Sequence, residues 1–160
     1  MIKIAVLTLS DKGARGERQD ESGPAIKTAL QDFGDVVNYD MLPDEMELIK
    51  EKLIEYSGKV DLIITTGGTG LSPRDVTPEA TLAVIERQIP GIAETMRNES
   101  LKKTRRAMLS RAVAGVRGGT LIINMPGSPA AVREQLEIIA DVLPHAIEKI
   151  KGDPADCART

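Results

Sequence analysis

The sequence predicts a three-layer α/β/α domain with a mostly parallel sheet and one antiparallel strand. Short apolar runs alternate with segments whose apolar residues recur at helical spacing, as in βαβ units. Residues 59–66, KVDLIITT, are apolar on both faces, which is typical of a central parallel strand. Two strand-like segments, 111–117 and 120–125, are separated only by Gly118 and Gly119, which predicts a tight reversal and an antiparallel pairing.

The first strand–helix unit begins with the apolar run 2–9, which predicts a buried strand. The polar, glycine-rich stretch 10–24 is typical of a loop, and Ser22 within it is placed to cap the following helix. That helix has one buried stripe, formed by Ile26, Ala29, Leu30 and Phe33.

A second unit combines a strand over 35–42 with a helix that ends near Ser57. Asp44 precedes Glu47 by three residues, so the pattern alone favours a helix-capping role for Asp44. The apolar stripe of this helix is Met46, Ile49, Leu53 and Tyr56.

Beyond the strand at 59–66, Thr77 followed by a proline and an acid predicts the N-cap of a helix over about 78–87. A helix over 92–103 follows, with a basic cluster near its end that we expect to be solvated: Lys102, Lys103, Arg105 and Arg106. The last long helix begins at Ser128 and Pro129, and Pro144 kinks or interrupts it.

Composition limits the possible functions. The 160 residues fit a single domain, expected over 1–160 with a flexible tail at 152–160. A net charge of −3 and 2% aromatic residues disfavour nucleic acid as a partner. No apolar run approaches membrane-spanning length, a signal-peptide pattern is missing, and the single Cys157 suits a reducing compartment. We expect a cytoplasmic protein without a membrane partner.

Ligands of open α/β sheets bind beyond the carboxyl ends of the strands. The motifs SDKG, GGTG and NMPG are all predicted to lie at that edge. Ser10 and Asp11 end the first strand there, and Ser110 precedes Arg111 farther along the chain. Each of these residues could also be an ordinary turn or cap residue.

The GGTG loop is suited to an anion. Gly67, Gly68 and Gly70 permit close backbone approach, so that N–H groups can face a phosphate, and Thr69 adds a hydroxyl. The loop matches neither the Walker A pattern nor G-x-G-x-x-G, which disfavours nucleoside triphosphatases and dinucleotide enzymes. A glycine-rich strand end without a ligand is the alternative.

Asp75 is a candidate Mg²⁺ ligand. Thr77 is the better cap, which leaves Asp75 without an evident local role, and Mg²⁺ is commonly held by one or two carboxylates together with substrate phosphates. Arg74 could neutralise phosphate charge or form a surface ion pair. The only histidine, His145, lies in a helical pattern, which disfavours a Ser-His-Asp triad or a zinc site.

Three stretches together carry a family resemblance: TTGGTGLSPRDVTPEA, MLSRAVAGVRGGTLIINMPGSP, and the early LTLSDKG with SGP. Over nearly the whole chain the sequence resembles the molybdopterin-binding Mog family, which includes the gephyrin G domain. The resemblance implies a MogA-like molybdopterin-binding fold. It also implies an adenylyltransferase of molybdenum cofactor biosynthesis, which uses Mg-ATP to place AMP on the terminal phosphate of molybdopterin and releases pyrophosphate.

The resemblance also assigns residues. Asp75 and Asp44 match acids needed for adenylylation and are the candidate catalytic and Mg²⁺-binding residues, and Ser110 matches a serine on the pterin side. Which loop holds ATP and which holds molybdopterin stays open. The candidate contacts for substrate and phosphate are Ser10, Asp11, Ser22, Gly67, Gly68, Thr69, Gly70, Arg74, Ser110, Pro126, Gly127, Ser128 and Pro129.

The family is typically trimeric, so the resemblance implies a homotrimer. A fused molybdenum-insertion domain is missing from the sequence, which implies a separate insertion protein as partner. Two alternatives stay open: a MoaB-like molybdopterin-binding protein with little adenylylation activity, or a non-catalytic scaffold. The intact PRDVTPEA and NMPGSP favour the active branch.

Overall fold

The computed structural model describes residues 1–154 and contains one six-stranded sheet. The strands are β1 (Ile2–Leu9), β2 (Gly34–Leu42), β3 (Leu62–Thr66), β4 (Arg87–Gln88), β5 (Ala114–Arg117) and β6 (Thr120–Met125). Their order is β2-β1-β3-β6-β5-β4, and the first four are parallel to one another. Within the described chain only β5 runs against its neighbours, as predicted; the short strand β4 was not predicted.

Helices cover both faces of the sheet. They are α1 (Asp11–Ala14), α2 (Ser22–Leu30), α3 (Met46–Tyr56), α4 (Thr77–Val84), α5 (Pro90–Leu101), α6 (Pro129–Ile139) and α7 (Leu143–Ile150), with a 3₁₀ helix at Arg105–Leu109. Because side chains alternate along a strand, Ile4 and Val6 pack with α2, α5, α6 and α7, whereas Ala5 and Leu7 pack with α3 and α4. The predicted three-layer fold is confirmed.

Three predicted helix caps are wrong, and they fail for one reason. The N-cap residues are Glu21, Glu45 and Val76 instead of Ser22, Asp44 and Thr77. The Ser22 hydroxyl donates to the Gly127 carbonyl, Asp44 accepts from the backbone of Asp11, and the Thr77 hydroxyl donates to the Gly67 carbonyl. These side chains tie loops together at the carboxyl edge of the sheet.

Other boundaries also differ from expectation. Helix α1 forms inside the predicted loop, where Ser10 caps it by accepting from the Gly13 amide at 3.0 Å. The predicted last helix is interrupted, because α6 ends at Ile139 and Pro144 stands in the first turn of α7. The basic cluster is exposed, as predicted.

The C-terminal end is only partly described. Residues 152–154 follow α7, whereas 155–160, with Cys157 and most of the predicted tail, lie outside the described residues. The single domain over 1–160 and its flexible tail therefore stay predictions. Across residues 1–154 no helix is both long and apolar enough to cross a membrane.

The asparagine of the NMPG motif joins several elements through its buried side-chain amide. Asn124 is fully buried, and its side-chain amide donates to the hydroxyls of Thr65 (3.0 Å) and Thr81 (2.9 Å). Its oxygen accepts from the Val113 amide at 3.2 Å. Asn124 therefore links β6 to β3, to α4 and to the segment before β5.

Replacing this amide is expected to destabilise the fold. Asn124→Leu strands several buried polar groups, so we expect the free energy of unfolding to fall by about 2–4 kcal/mol. Urea denaturation measures the change, with the exposed Asn98→Leu on α5 as control. Equal stability of the two variants would contradict the role assigned to Asn124.

Candidate active site

The three predicted rim loops meet at the carboxyl edge of the sheet. The Ser10 amide donates to the Leu42 carbonyl at 2.9 Å, which joins the ends of β1 and β2. The Gly67 amide donates to the Met125 carbonyl at 3.1 Å, and the Thr66 hydroxyl donates to the Pro126 carbonyl at 2.7 Å. These bonds join the ends of β3 and β6. Four strand ends thus form one rim.

Two positions of the GGTG loop require glycine. Gly67 and Gly68 have φ of +96° and +67°, in the left-handed region that side chains disfavour. A Cβ atom at Gly67 would strike the Leu9 carbonyl oxygen, and one at Gly68 would strike the Thr77 hydroxyl. The loop therefore lies directly against the end of β1 and the start of α4.

All four carbonyls of the loop bond to the protein. Those of Gly67 and Gly68 accept from the Thr77 hydroxyl (2.9 Å) and the Thr77 amide (3.2 Å). Those of Thr69 and Gly70 accept from the amide (3.0 Å) and Nε (2.8 Å) of Arg111. In a trans peptide the next N–H points opposite to the carbonyl, so the amides of residues 68–70 point away from Thr77 and Arg111. Among residues 1–154 these three amides have no acceptor, which makes them available to an anion.

Asp44 lies beside this loop with a buried, unpartnered oxygen. Its Oδ2 accepts from the Asp11 amide at 3.1 Å, and its own amide donates to Asp11 Oδ1 at 2.9 Å. In the described part of the chain Oδ1 is buried without a hydrogen-bond partner, 3.0 Å from where a Cβ of Gly68 would lie. Burial raises the pKa of Asp44, and the charges of Asp11 and Asp75 raise it further. The hydrogen bond from the Asp11 amide lowers it, but the net shift is upward.

Asp75 also lies against the loop, at Gly70. Its Oδ2 lies 2.9 Å from the position of a Cβ on Gly70, so the carboxylates of Asp44 and Asp75 stand at alternate glycines. The same oxygen accepts from the Ser72 amide at 2.9 Å. The premise that Asp75 lacks a local role is therefore wrong, because its carboxylate also fixes the turn that precedes it.

Arg74 is paired within the protein. Its Nε and Nη2 donate to the two carboxylate oxygens of Asp11 at 2.9 and 2.8 Å. This pair, helped by the hydrogen bond from the Asp44 amide, lowers the pKa of Asp11 to about 2. Of the two roles considered for Arg74, the structure shows the surface ion pair.

A second pocket adjoins the loop. This cavity of about 90 Å³ is lined by predicted residues of three segments, namely Ser10, Ser22, Gly127 and Pro129, together with Thr66. It meets the glycine loop where a Cβ on Gly127 would lie 3.6 Å from the Gly67 Cα. Pro126 is half-buried, and Ser128 is exposed at the start of α6.

Ser110 lies at the glycine loop through its neighbour Arg111, and it is half-buried. The sequence interpretation missed Arg111, Thr77 and Thr66 as residues that shape the site. All three lie inside the motif stretches quoted above, Thr66 and Thr77 in TTGGTGLSPRDVTPEA and Arg111 in MLSRAVAG, but the motifs do not show which side chains bind the loop.

The arrangement fits a Mg²⁺ ion that is held jointly by the protein and a bound substrate. Among the described residues no group of three or more His, Cys, Asp or Glu side chains could hold a metal by itself. The unpartnered Asp44 Oδ1 and the nearby Asp75 supply two carboxylates. Mg²⁺ typically takes one or two carboxylates, water and substrate phosphates, so such a site would be completed by an anionic ligand.

Comparisons with known proteins agree on one family. Residues 5–145 match the family described as "Probable molybdopterin binding domain". A molybdopterin adenylyltransferase of Helicobacter pylori J99 is 42% identical over 159 residues, covering 95% of this chain and 89% of that protein.

Solved structures give the same picture. The molybdopterin biosynthesis enzyme MoaB of Thermus thermophilus is 50% identical, with a TM-score of 0.88, over 98% of this chain and 100% of that one. The molybdopterin biosynthesis Mog protein of Mycobacterium ulcerans is 41% identical, with a TM-score of 0.88, over 94% of this chain and 99% of that one.

A substitution at Gly68 would cost stability in two ways, through backbone strain and through a clash with Thr77, and a second glycine allows the two costs to be measured separately. Gly68→Ala and Gly119→Ala both place a side chain at positive φ, which costs about 1 kcal/mol, but the space around Gly119 is open. We expect Gly68→Ala to lose about 1–3 kcal/mol more, because the new methyl group overpacks against Thr77. Urea denaturation compares them, and equal losses would show that this contact can relax.

Asp44 is expected to lower the stability of the ligand-free protein. Folding raises its pKa, so its stabilising contribution exists at low pH and is lost as the pH rises through the raised value. Asp44→Asn should therefore gain about 1 kcal/mol at pH 7 and less at pH 4, measured by urea denaturation.

Asp61→Asn is the control of opposite sign. Burial raises the pKa of Asp61, but the bonds from Lys151 and the Lys3 amide outweigh it, and the net shift is downward. This variant should lose stability at pH 7. A loss in both variants would contradict the assignment of a destabilising charge to Asp44.

Proposed function

This chain belongs to the molybdopterin-binding domain family, and on that premise we propose that it acts as a molybdopterin adenylyltransferase in molybdenum cofactor biosynthesis. An oxygen of the terminal phosphate of molybdopterin bonds to the α-phosphorus of ATP. The bond from that phosphorus to the bridging oxygen breaks, and pyrophosphate leaves with the electron pair. The resemblance seen in the sequence motifs is confirmed at the level of the family, and the relatives named molybdopterin adenylyltransferase support this reaction.

One arrangement carries the proposal: two carboxylates stand beside a loop that has three open amides. Phosphoryl-type transfer depends mainly on positioning and charge stabilisation and needs no protein nucleophile. The amides of residues 68–70 can orient a phosphate, and Asp44 and Asp75 reach the same loop. The adjoining pocket near Ser22 lies next to this loop, and we propose that it receives part of the second substrate.

We propose that Asp44 and Asp75 hold Mg²⁺ together with the substrate phosphates. When bound, the ion neutralises phosphate charge and orients the reacting groups. Asp44 supplies a buried oxygen that no donor in the described part of the chain satisfies, and Asp75 is fixed by the Ser72 amide. Both carboxylates are thus in place before substrate arrives, which lowers the cost of ordering the site on binding.

We also propose a homotrimeric assembly, a molybdenum-insertion protein as partner, and the cytoplasm as location. Family resemblance supports a homotrimer, and the exposed apolar side chains of Leu71, Met108 and Leu109 offer surface for association. Resemblance likewise supports a separate molybdenum-insertion protein that receives the product. The single cysteine supports the cytoplasm as the place of action.

The activity test uses purified protein, Mg-ATP and molybdopterin. Asp75→Asn keeps an oxygen for the Ser72 amide but removes the charge, so we expect folding to be retained and kcat to fall at least about 100-fold. Chromatography of adenylylated molybdopterin measures the rate, and the exposed Asp141→Asn serves as the matched control.

The outcomes separate the alternatives. Product from the wild type and from the Asp141 variant, with loss in the Asp75 variant, supports the enzyme and its carboxylate. A wild type that binds molybdopterin without product would point to a MoaB-like binding protein or a scaffold. Equal rates in all three proteins would remove Asp75 from the mechanism.

A further inference from the structure

We infer that Arg111 is the positioning residue that sets the glycine loop and Asp75 in fixed relation. Its Nε donates to the Gly70 carbonyl at 2.8 Å, and its Nη2 donates to the Asp75 carbonyl at 2.7 Å. Its backbone amide holds the Thr69 carbonyl at 3.0 Å. The expected effect of Arg111 on the rate of adenylylation rests on the proposed function, whereas its expected effect on the order of the loop does not.

The two side-chain bonds close the segment between the cradle and the carboxylate. Residues 71–74 between Gly70 and Asp75 are exposed, and Leu71 is 64% exposed, so little packing fixes their path. One guanidinium bonds to both ends of this segment. Together with the Ser72 amide, which binds Asp75 Oδ2 directly, these bonds hold that oxygen 2.9 Å from the Cβ position of Gly70.

The charge of Arg111 is balanced inside the protein. Its Nη1 pairs with the carboxylate of Glu79 in the first turn of α4. Burial opposes ionisation of Glu79, yet the bonds from Arg111 and the backbone lower its pKa overall. With Nε, Nη1 and Nη2 all directed to protein acceptors, the guanidinium acts through the loop and not as a substrate cation.

A lysine at position 111 cannot make the same set of hydrogen bonds. A guanidinium presents several donors in one rigid plane, whereas an ammonium is a single point charge on a flexible stem. Arg111→Lys therefore keeps the charge opposite Glu79 but cannot span the carbonyls of Gly70 and Asp75. Arg111→Gln is a second variant that keeps one donor and loses the charge.

The protein offers a matched control on β5. Arg117 is half-buried like Arg111, and its Nη1 also donates to a backbone carbonyl, that of Val84, at 2.7 Å. That carbonyl lies at the end of α4 remote from the glycine loop. Arg117→Lys removes the same type of bond without altering the loop.

The test combines amide hydrogen exchange with kinetics. In Arg111→Lys and Arg111→Gln we expect at least tenfold faster exchange at Asp75 and Thr77, whose amides bond to Ser72 and Gly68, with the midpoint of thermal unfolding close to the wild type. For adenylylation we expect kcat to fall about 10- to 100-fold with a KM for ATP within about threefold. Arg117→Lys should leave exchange and kcat unchanged.

Each result decides one point. Wild-type exchange in the Arg111 variants would overturn the inference whether or not the protein is active. A raised KM for ATP with unchanged exchange would also overturn it, since Arg111 would then bind substrate directly. An inactive wild type would refute the proposed function alone, because exchange at Asp75 and Thr77 still reports the positioning role.

Discussion

The site depends on the direction of four peptide groups. Thr77 and Arg111 hold every carbonyl of the GGTG loop, and planarity of the trans peptide then fixes where the following amides point. Glycine supplies the backbone conformation, but glycine alone would leave the loop free to turn either way. A flexible sequence becomes an oriented set of donors because two residues distant in sequence bind its carbonyl side.

Asp44 shows why such a site is retained at a cost to stability. One hydrogen bond, from the Asp11 amide, satisfies one carboxylate oxygen, and among residues 1–154 the other is buried without a donor, while burial and two neighbouring carboxylates oppose its charge. A residue selected only for folding would not combine these features. The arrangement becomes favourable when a cation completes it, so stability of the empty protein is exchanged for readiness to bind.

The hydrophobic pattern allowed the layers, the strand order near the reversal and most helices to be predicted, because burial repeats locally along the chain. The caps failed for a different reason. Ser22, Asp44 and Thr77 are good local caps, yet each side chain finds a partner on a loop that only the fold brings near. The role of Arg111 was equally hidden, since its acceptors at Gly70 and Asp75 lie 41 and 36 residues away.

The charges at the rim indicate how the site would treat a polyphosphate. Arg74 is bound to Asp11 and Arg111 to Glu79, so the charges of these two arginines are already balanced within the protein. Asp44 and Asp75 add negative charge beside that loop, where a bare phosphate would be repelled. Three backbone amides cannot offset this repulsion in full, because they carry partial charges only. A divalent cation between the carboxylates and the phosphates would remove this repulsion, which is the electrostatic argument for the Mg²⁺ site proposed above.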